Sequence, residues 1–173
     1  PNAARKLCAV QNAVALQGFG LFIFDAFRPV RAVQDFIRWF ESPIASDYEQ
    51  VRKQIHYPHL SKKDLPKLGY APSSISRHSF GHVVDLSLIS LKTQELLSMG
   101  TVFDFFDPDS HLDASIERIG GEALKNRSFL LETMKSFDFL SYPLEWWHFE
   151  QKGQEVDVLM DGEITTSWKN LGI

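Results

Sequence analysis

The sequence predicts an α+β fold in a single domain spanning residues 1–173. Three observations carry that expectation. Segments of helical spacing and segments of strand character are mixed without regular alternation, which fits α+β better than a doubly wound sheet. The 173 residues suit one domain and are enough to bury roughly 70% of the surface an unfolded chain exposes. Apolar residues make up 44% and charged residues 23% of the chain, an ordinary globular balance, and no repeat, low-complexity segment or interdomain linker interrupts it.

The elements follow in order. Asn2 is placed to cap a first helix running to about Gln17, with Leu7, Val10, Val14 and Leu16 as its apolar positions. Gly18 and Gly20 then break the pattern. Residues 19–26 read as a short, aromatic, buried strand. Pro29 opens a second helix with Val33, Phe36, Ile37 and Phe40 at helical spacing, and Pro43 ends it. Residues 48–55 and 61–65 read as short helices among loops marked by Pro58, Pro66, Gly69 and Pro72. Residues 83–88 alternate apolar and polar like a half-buried strand. Residues 98–112 look irregular. A further helix covers residues 122–136, with Leu124, Leu131 and Met134 among its buried positions. Residues 138–140 and 146–150 read as strands, and residues 151–173 as a weakly patterned tail.

Composition excludes several classes. The formal net charge is -4 and the sequence pI is about 5.9. No Lys/Arg cluster marks a nucleic-acid face. The apolar run over residues 19–24 is far too short to span a bilayer. The single cysteine, Cys8, rules out an internal disulfide and reads as a small buried hydrophobe. One cysteine and no visible signal segment predict the cytoplasm; an export signal ahead of Pro1 would place the protein in the periplasm instead.

Two segments concentrate metal-compatible side chains. The first is Ser76-Arg77-His78-Ser79-Phe80-Gly81-His82-Val83-Val84-Asp85, the second Glu145-Trp146-Trp147-His148. Catalytic zinc takes three protein ligands and keeps a position for water. His78, Asp85 and His148 would supply two imidazoles and a carboxylate, leaving Glu145 as general base. Strand parity objects to this. His78 and Asp85 are seven apart, so one continuous strand would turn them to opposite faces. Gly81 is the place for a bend. Glu145 and His148 are three apart, which demands a kink around Trp146.

At these residues the chain resembles a family. Ser76-x-His78-x-x-Gly81-x-x-x-Asp85 with Glu145-x-Trp147-His148 is similar to the motifs of the D-alanyl-D-alanine dipeptidases, the VanX-like branch of the zinc D,D-peptidases. Asp25-Ala26-Phe27-Arg28-Pro29 resembles that family's Asp-x-Tyr-Arg-Pro segment, with Phe27 for the commoner Tyr. Met99-Gly100-Thr101-x-Phe103-Asp104 followed by Ser110-His111, and Asn126-Arg127 with Leu130, Leu131 and Met134, are further matches. The resemblance covers roughly residues 3–150. It implies a small, mainly antiparallel sheet flanked by helices, with one zinc ion per chain in a central cleft.

It also implies roles. His78, Asp85 and His148 would hold zinc. Glu145 would take a proton from the water and pass it to the leaving amine. Arg28 would stabilise the oxyanion of the tetrahedral intermediate. Asp104 would hold the free ammonium of the dipeptide, Ser76 would help position the substrate, and Tyr70 would line its site. His82 is expected to be structural, most other histidines to lie on surfaces or loops, and Trp146 and Trp147 to pack around the site and exclude water. The small-molecule substrate would be D-Ala-D-Ala. Two other readings share these residues: a D,D-carboxypeptidase on longer peptidoglycan peptides, and a non-catalytic module that binds cell-wall peptides. A closed structural zinc site would need ligands rich in Cys, and the chain has only Cys8.

Overall fold

In the computed structural model, which describes residues 2–153, four strands make one antiparallel sheet. They are β1 (Phe19–Asp25), β2 (Val83–Ser90), β3 (Phe139–Tyr142) and β4 (Glu145–Gln151), in the spatial order β1-β2-β4-β3. The fold is therefore the α+β arrangement that the sequence predicts. Most of the weakly patterned tail, from residue 154 onward with Trp168, lies outside the described residues. None of the described helices is long and apolar enough to cross a membrane.

One face of the sheet is covered by α1 (Asn2–Ala15) and α5 (Gly121–Ser136). Val10 and Val14, four apart on α1, pack with Leu130 and Met134 of α5 and with Val84, Leu86 and Leu88 of β2 in the main core. Two residues of the predicted helix depart from expectation. Cys8 is two positions from Val10, about 200° around the helix, and is exposed rather than buried as expected. Leu16 lies beyond the last helical turn and is 86% exposed. On α5 the inward row is Ala123, Arg127, Leu130 and Met134, while Leu124 and Leu131 are only partly buried.

The second face carries a smaller cluster. α2 (Val30–Glu41) begins after Pro29, whose fixed φ suits a helix start. α3 (Asp47–His56) begins at Ser46, whose side chain accepts from the Glu49 N–H; Asp47 and Glu49 then favour the positive end of the helix dipole. These helices and the 3-10 turn Lys62–Asp64 enclose Phe40, Tyr57 and Leu65. Lys62 is buried there, 3.0 Å from Glu49 and over the Trp39 ring.

β2 departs from expectation. Paired on both sides and covered on both faces, it is buried from Val83 to Leu88 rather than half-buried. The irregular stretch over residues 98–112 is as expected, and it is pinned from the core side. Arg127 donates to the Met99 carbonyl (2.6 Å), the His111 carbonyl (3.1 Å) and Thr101 Oγ1 (3.3 Å). The one-turn helix α4 (Ile116–Ile119) follows it and escaped sequence reading.

Gly100 closes this region at φ 81°, where an added Cβ would lie 2.6 Å from Ile119 Cβ and 3.2 Å from Ala123 Cβ. Gly100→Ala is therefore expected to cost about 2–4 kcal/mol, combining left-handed strain with overpacking. The measurement is the urea midpoint, which should fall at unchanged m.

Candidate active site

Cross-strand register places the first chemical groups. Asp85 of β2 sits opposite His148 of β4 and opposite Asp25 of β1. Directly opposed residues share a sheet face, so the three side chains form a row away from the main core. A register shift between Ile23 and Asp25 brings Asp25 into that row. The extra residue, Phe24, turns to the core and stacks on Phe103 with ring centroids 4.3 Å apart. Asp25 in turn holds Arg28: its Oδ2 accepts from Nε at 2.9 Å and from Nη2 at 2.5 Å.

His78 reaches the row by the bend that parity demands. It lies on a 3-10 turn, Arg77–Phe80, rather than on a strand. Ser76 caps that turn by accepting the His78 N–H at 3.3 Å, and Gly81 ends it in the left-handed region at φ 71°. His78 Nδ1–H donates to the Ala26 carbonyl at 2.8 Å. A carbonyl can only accept, which fixes the tautomer and leaves Nε2 free, 3.3 Å from Asp85 Oδ2.

The kink near Trp146 is also present. Pairing between β3 and β4 jumps from Ser141↔Phe149 to Tyr142↔Glu145. The break puts Glu145 Oε2 3.7 Å from His148 Nδ1. It also lets the adjacent Trp146 and Trp147 both join the core. Neither tryptophan lines the cleft itself. They pack on its core side, where Trp146 Nε1 donates to Thr101 Oγ1 at 2.8 Å.

All eight residues singled out in the sequence (Arg28, Tyr70, Ser76, His78, Asp85, Asp104, Glu145 and His148) line one cleft of about 250 Å³ between the sheet and the α2–α3 cluster. That is just below the usual range for small-molecule pockets, about 300–1,000 Å³, and suits a small ligand. Tyr70 contributes a hydroxyl 2.7 Å from His111 Nε2; burial pushes it up to about 12, so it remains a phenol. His111 thus supports the wall. His82 is buried 3.4 Å from Glu150. Sequence reading missed Arg52, His56 and Tyr142, which line the same cleft. Arg52 and His56 are four apart on α3, so once that helix is placed they share a face.

The site crowds acids together. Burial alone would raise the Asp85 carboxyl, but His148 and His78 outweigh it and hold it at about 2. Glu145 goes the other way: burial first, then Asp85 and Asp104, push it well above the carboxylate range, with Arg28 opposing. Asp104 is raised to about 7 by burial and then by Asp85, again against Arg28.

These residues fit a divalent metal. Donor atoms of His78, Asp85 and His148 all lie within 4.8 Å of one another. Asp85 Oδ1 is buried and has no hydrogen-bond partner, although His148 Nδ1 is 3.0 Å away. A cation between them would satisfy that oxygen. Two imidazoles and one carboxylate also match the donor set of catalytic zinc.

Fold and site together place a triad able to hold a metal ion in a small, acid-lined cleft. The chain belongs to the M15 peptidase family described as D-ala-D-ala dipeptidase, whose family model matches residues 1–164. It is 40% identical over 147 residues to the D-alanyl-D-alanine dipeptidase of Enterococcus faecalis, covering 85% of this chain and 69% of that protein. Against the D-alanyl-D-alanine dipeptidase of Enterococcus faecium the identity is 37% over 146 residues, covering 84% and 69%. Against that of Streptomyces coelicolor it is 40% over 153 residues, covering 86% and 72%.

Two predictions follow from the geometry. Asp85→Ala is expected to weaken zinc binding by at least about 100-fold in calorimetric titration, since even residues that merely orient ligands cost 10–100-fold. The second concerns pH. Asp104 ionises near 3.8 when unfolded and near 7 when folded, so between those values the folded state binds more protons. The metal-free protein should lose stability as pH rises from about 4 to 7, and Asp104→Asn should flatten that slope in denaturant titrations.

Proposed function

We propose that this chain is a zinc metallopeptidase that hydrolyses D-alanyl-D-alanine to two D-alanines, with Glu145 as general base. The observation that carries this reading is the pairing of two acids with different stations in one small cleft. Glu145 stands 3.7 Å from His148 Nδ1, beside the candidate metal ligands. Asp104 lines the same cleft outside the ligand set.

Zinc held by His78, Asp85 and His148 would supply Lewis acidity and water of lowered pKa. Glu145 takes the proton of the attacking water and delivers it to the nitrogen of the breaking C–N bond, so the leaving group departs as a neutral amine. Arg28 lines the cleft and is fixed through Asp25. A preorganised guanidinium there stabilises oxyanion charge without reorganising during the reaction.

The rest of the cleft fits a zwitterion. Asp104 pairs with the free ammonium. Ser76 Oγ accepts the His78 N–H, so its own hydrogen is available to the substrate carboxylate. Tyr70, a phenol at all working pH values, lines the wall. A substrate whose amine is acylated would leave Asp104 as a buried, unpaired carboxylate, which is costly.

The test is D-alanine release by zinc-loaded protein from D-Ala-D-Ala and N-acetyl-D-Ala-D-Ala in parallel. The free dipeptide alone should be cut. Glu145→Ala should lower kcat by about 10²–10⁴ and Arg28→Ala by about 10²–10³. Cleavage of the acylated peptide at a comparable rate would make the chain a carboxypeptidase. Cleavage of neither, with zinc bound, would remove the enzymatic reading.

A further inference from the structure

We infer that His56, the last residue of α3, is a positioning residue that fixes Asp104 for the substrate's amine and thereby sets preference for free dipeptides. The inference rests on the role proposed above for Asp104. Asp104 has φ 58°, in the left-handed region that non-glycine residues rarely occupy. Such a conformation persists where the surroundings over-determine it, and here they are explicit. His56 Nδ1–H donates to the Asp104 carbonyl at 3.1 Å. Two residues on, the Phe106 N–H donates back to the His56 carbonyl at 2.7 Å. The two bonds bracket residues 104–106 and tie them to one point on α3.

The anchor is itself rigid. α3 is capped by Ser46. Its Glu49 accepts from Trp39 Nε1 at 2.8 Å and pairs with buried Lys62 at 3.0 Å. From the core side the same loop is held through Arg127 and through Ser110 Oγ, which donates to the Phe105 carbonyl at 2.6 Å. Core-side bonds fix where the loop sits. The His56 bonds fix how Asp104 is turned within it. His56 also lines the cleft, so the clamp lies at the wall the substrate meets.

Binding rather than turnover tests this. In the Glu145→Ala background, zinc-loaded protein is titrated calorimetrically with D-Ala-D-Ala and with N-acetyl-D-Ala-D-Ala. The parent should prefer the free dipeptide, and Asp104→Ala should abolish that preference. His56→Leu should lower the preference about tenfold, the worth of one hydrogen bond, by weakening the free dipeptide alone. His56→Asn, whose amide nitrogen stands near the place of Nδ1, should restore most of it. A merely structural His56 would lower both affinities together; that result, or an unchanged preference, overturns the inference even where Asp104→Ala behaves as expected. An Asp104→Ala variant that keeps the preference overturns the Asp104 reading and this inference with it. If His56→Leu does not give a cooperative melt, His56→Gln, which carries its amide too far out, is judged by the same criteria.

Discussion

The row formed by Asp25, Asp85 and His148 across three strands is the constraint on which the rest of the molecule depends. Its middle member stands on a strand whose alternate residues, Val84, Leu86 and Leu88, are at most 2% exposed in the main core. A slip of one residue would turn Asp85 into that core and three aliphatic side chains into the cleft. Each buried aliphatic contributes about 1.5–3 kcal/mol, so register is held far more firmly than a carboxylate and two imidazoles could hold it themselves. Hydrophobic packing on one face of β2 thus gives the other face its chemical accuracy.

A regular sheet would still fail to build the site, because alternation puts the required residues on the wrong faces. Three local departures correct this. The shift between Ile23 and Asp25 adds a residue, sends Phe24 inward and leaves Asp25 to hold Arg28. The break between Ser141 and Tyr142 brings Glu145 to the face that carries His148. The 3-10 turn ending at Gly81 folds His78 back over Asp85. The first two departures are backed by burial: Phe24 stacks on Phe103, Phe103 meets Trp147 edge-on, and Trp147 is 1% exposed.

Two of these departures were legible in the sequence. Odd spacings between candidate ligands demand a bend and a kink, and Gly81 and Trp146 mark where they fall. The bulge in β1 was not, because Phe19 to Phe24 is apolar almost throughout and gives no alternation against which an extra residue would register. The double burial of β2 was hidden for a related reason: Asp85 and Ser87 look like solvent-facing positions, yet both are buried in the fold. Cys8 was misread because residue type outweighed helical phase. Arg52 and His56 were passed over because residues 44–75 carry several loop markers and no strong period, so nothing in them announces that α3 forms a wall of the cleft. The metal-compatible residues were easier to find, since donor chemistry narrows the choice of residue types while wall positions accept many.

That difference reflects how the work of the site is divided. The candidate ligands and Glu145 stand on or beside strands whose positions the core enforces. The groups proposed to choose among substrates stand on the loop over residues 98–112 and on α3. Asp104 there is a carboxyl raised to about 7 by burial and by Asp85, so it is costly as an isolated anion. On the proposed reading, an arriving ammonium would remove that cost by pairing with it in a site of low dielectric, where the attraction is strong. An acylated amine brings no charge and leaves the carboxyl either unpaired or protonated. Discrimination on this basis comes from the penalty of an unsatisfied buried acid more than from attraction to the preferred ligand. Such a penalty is felt only if the acid cannot turn away to solvent, and for that reason the orientation of Asp104 matters as much as its charge.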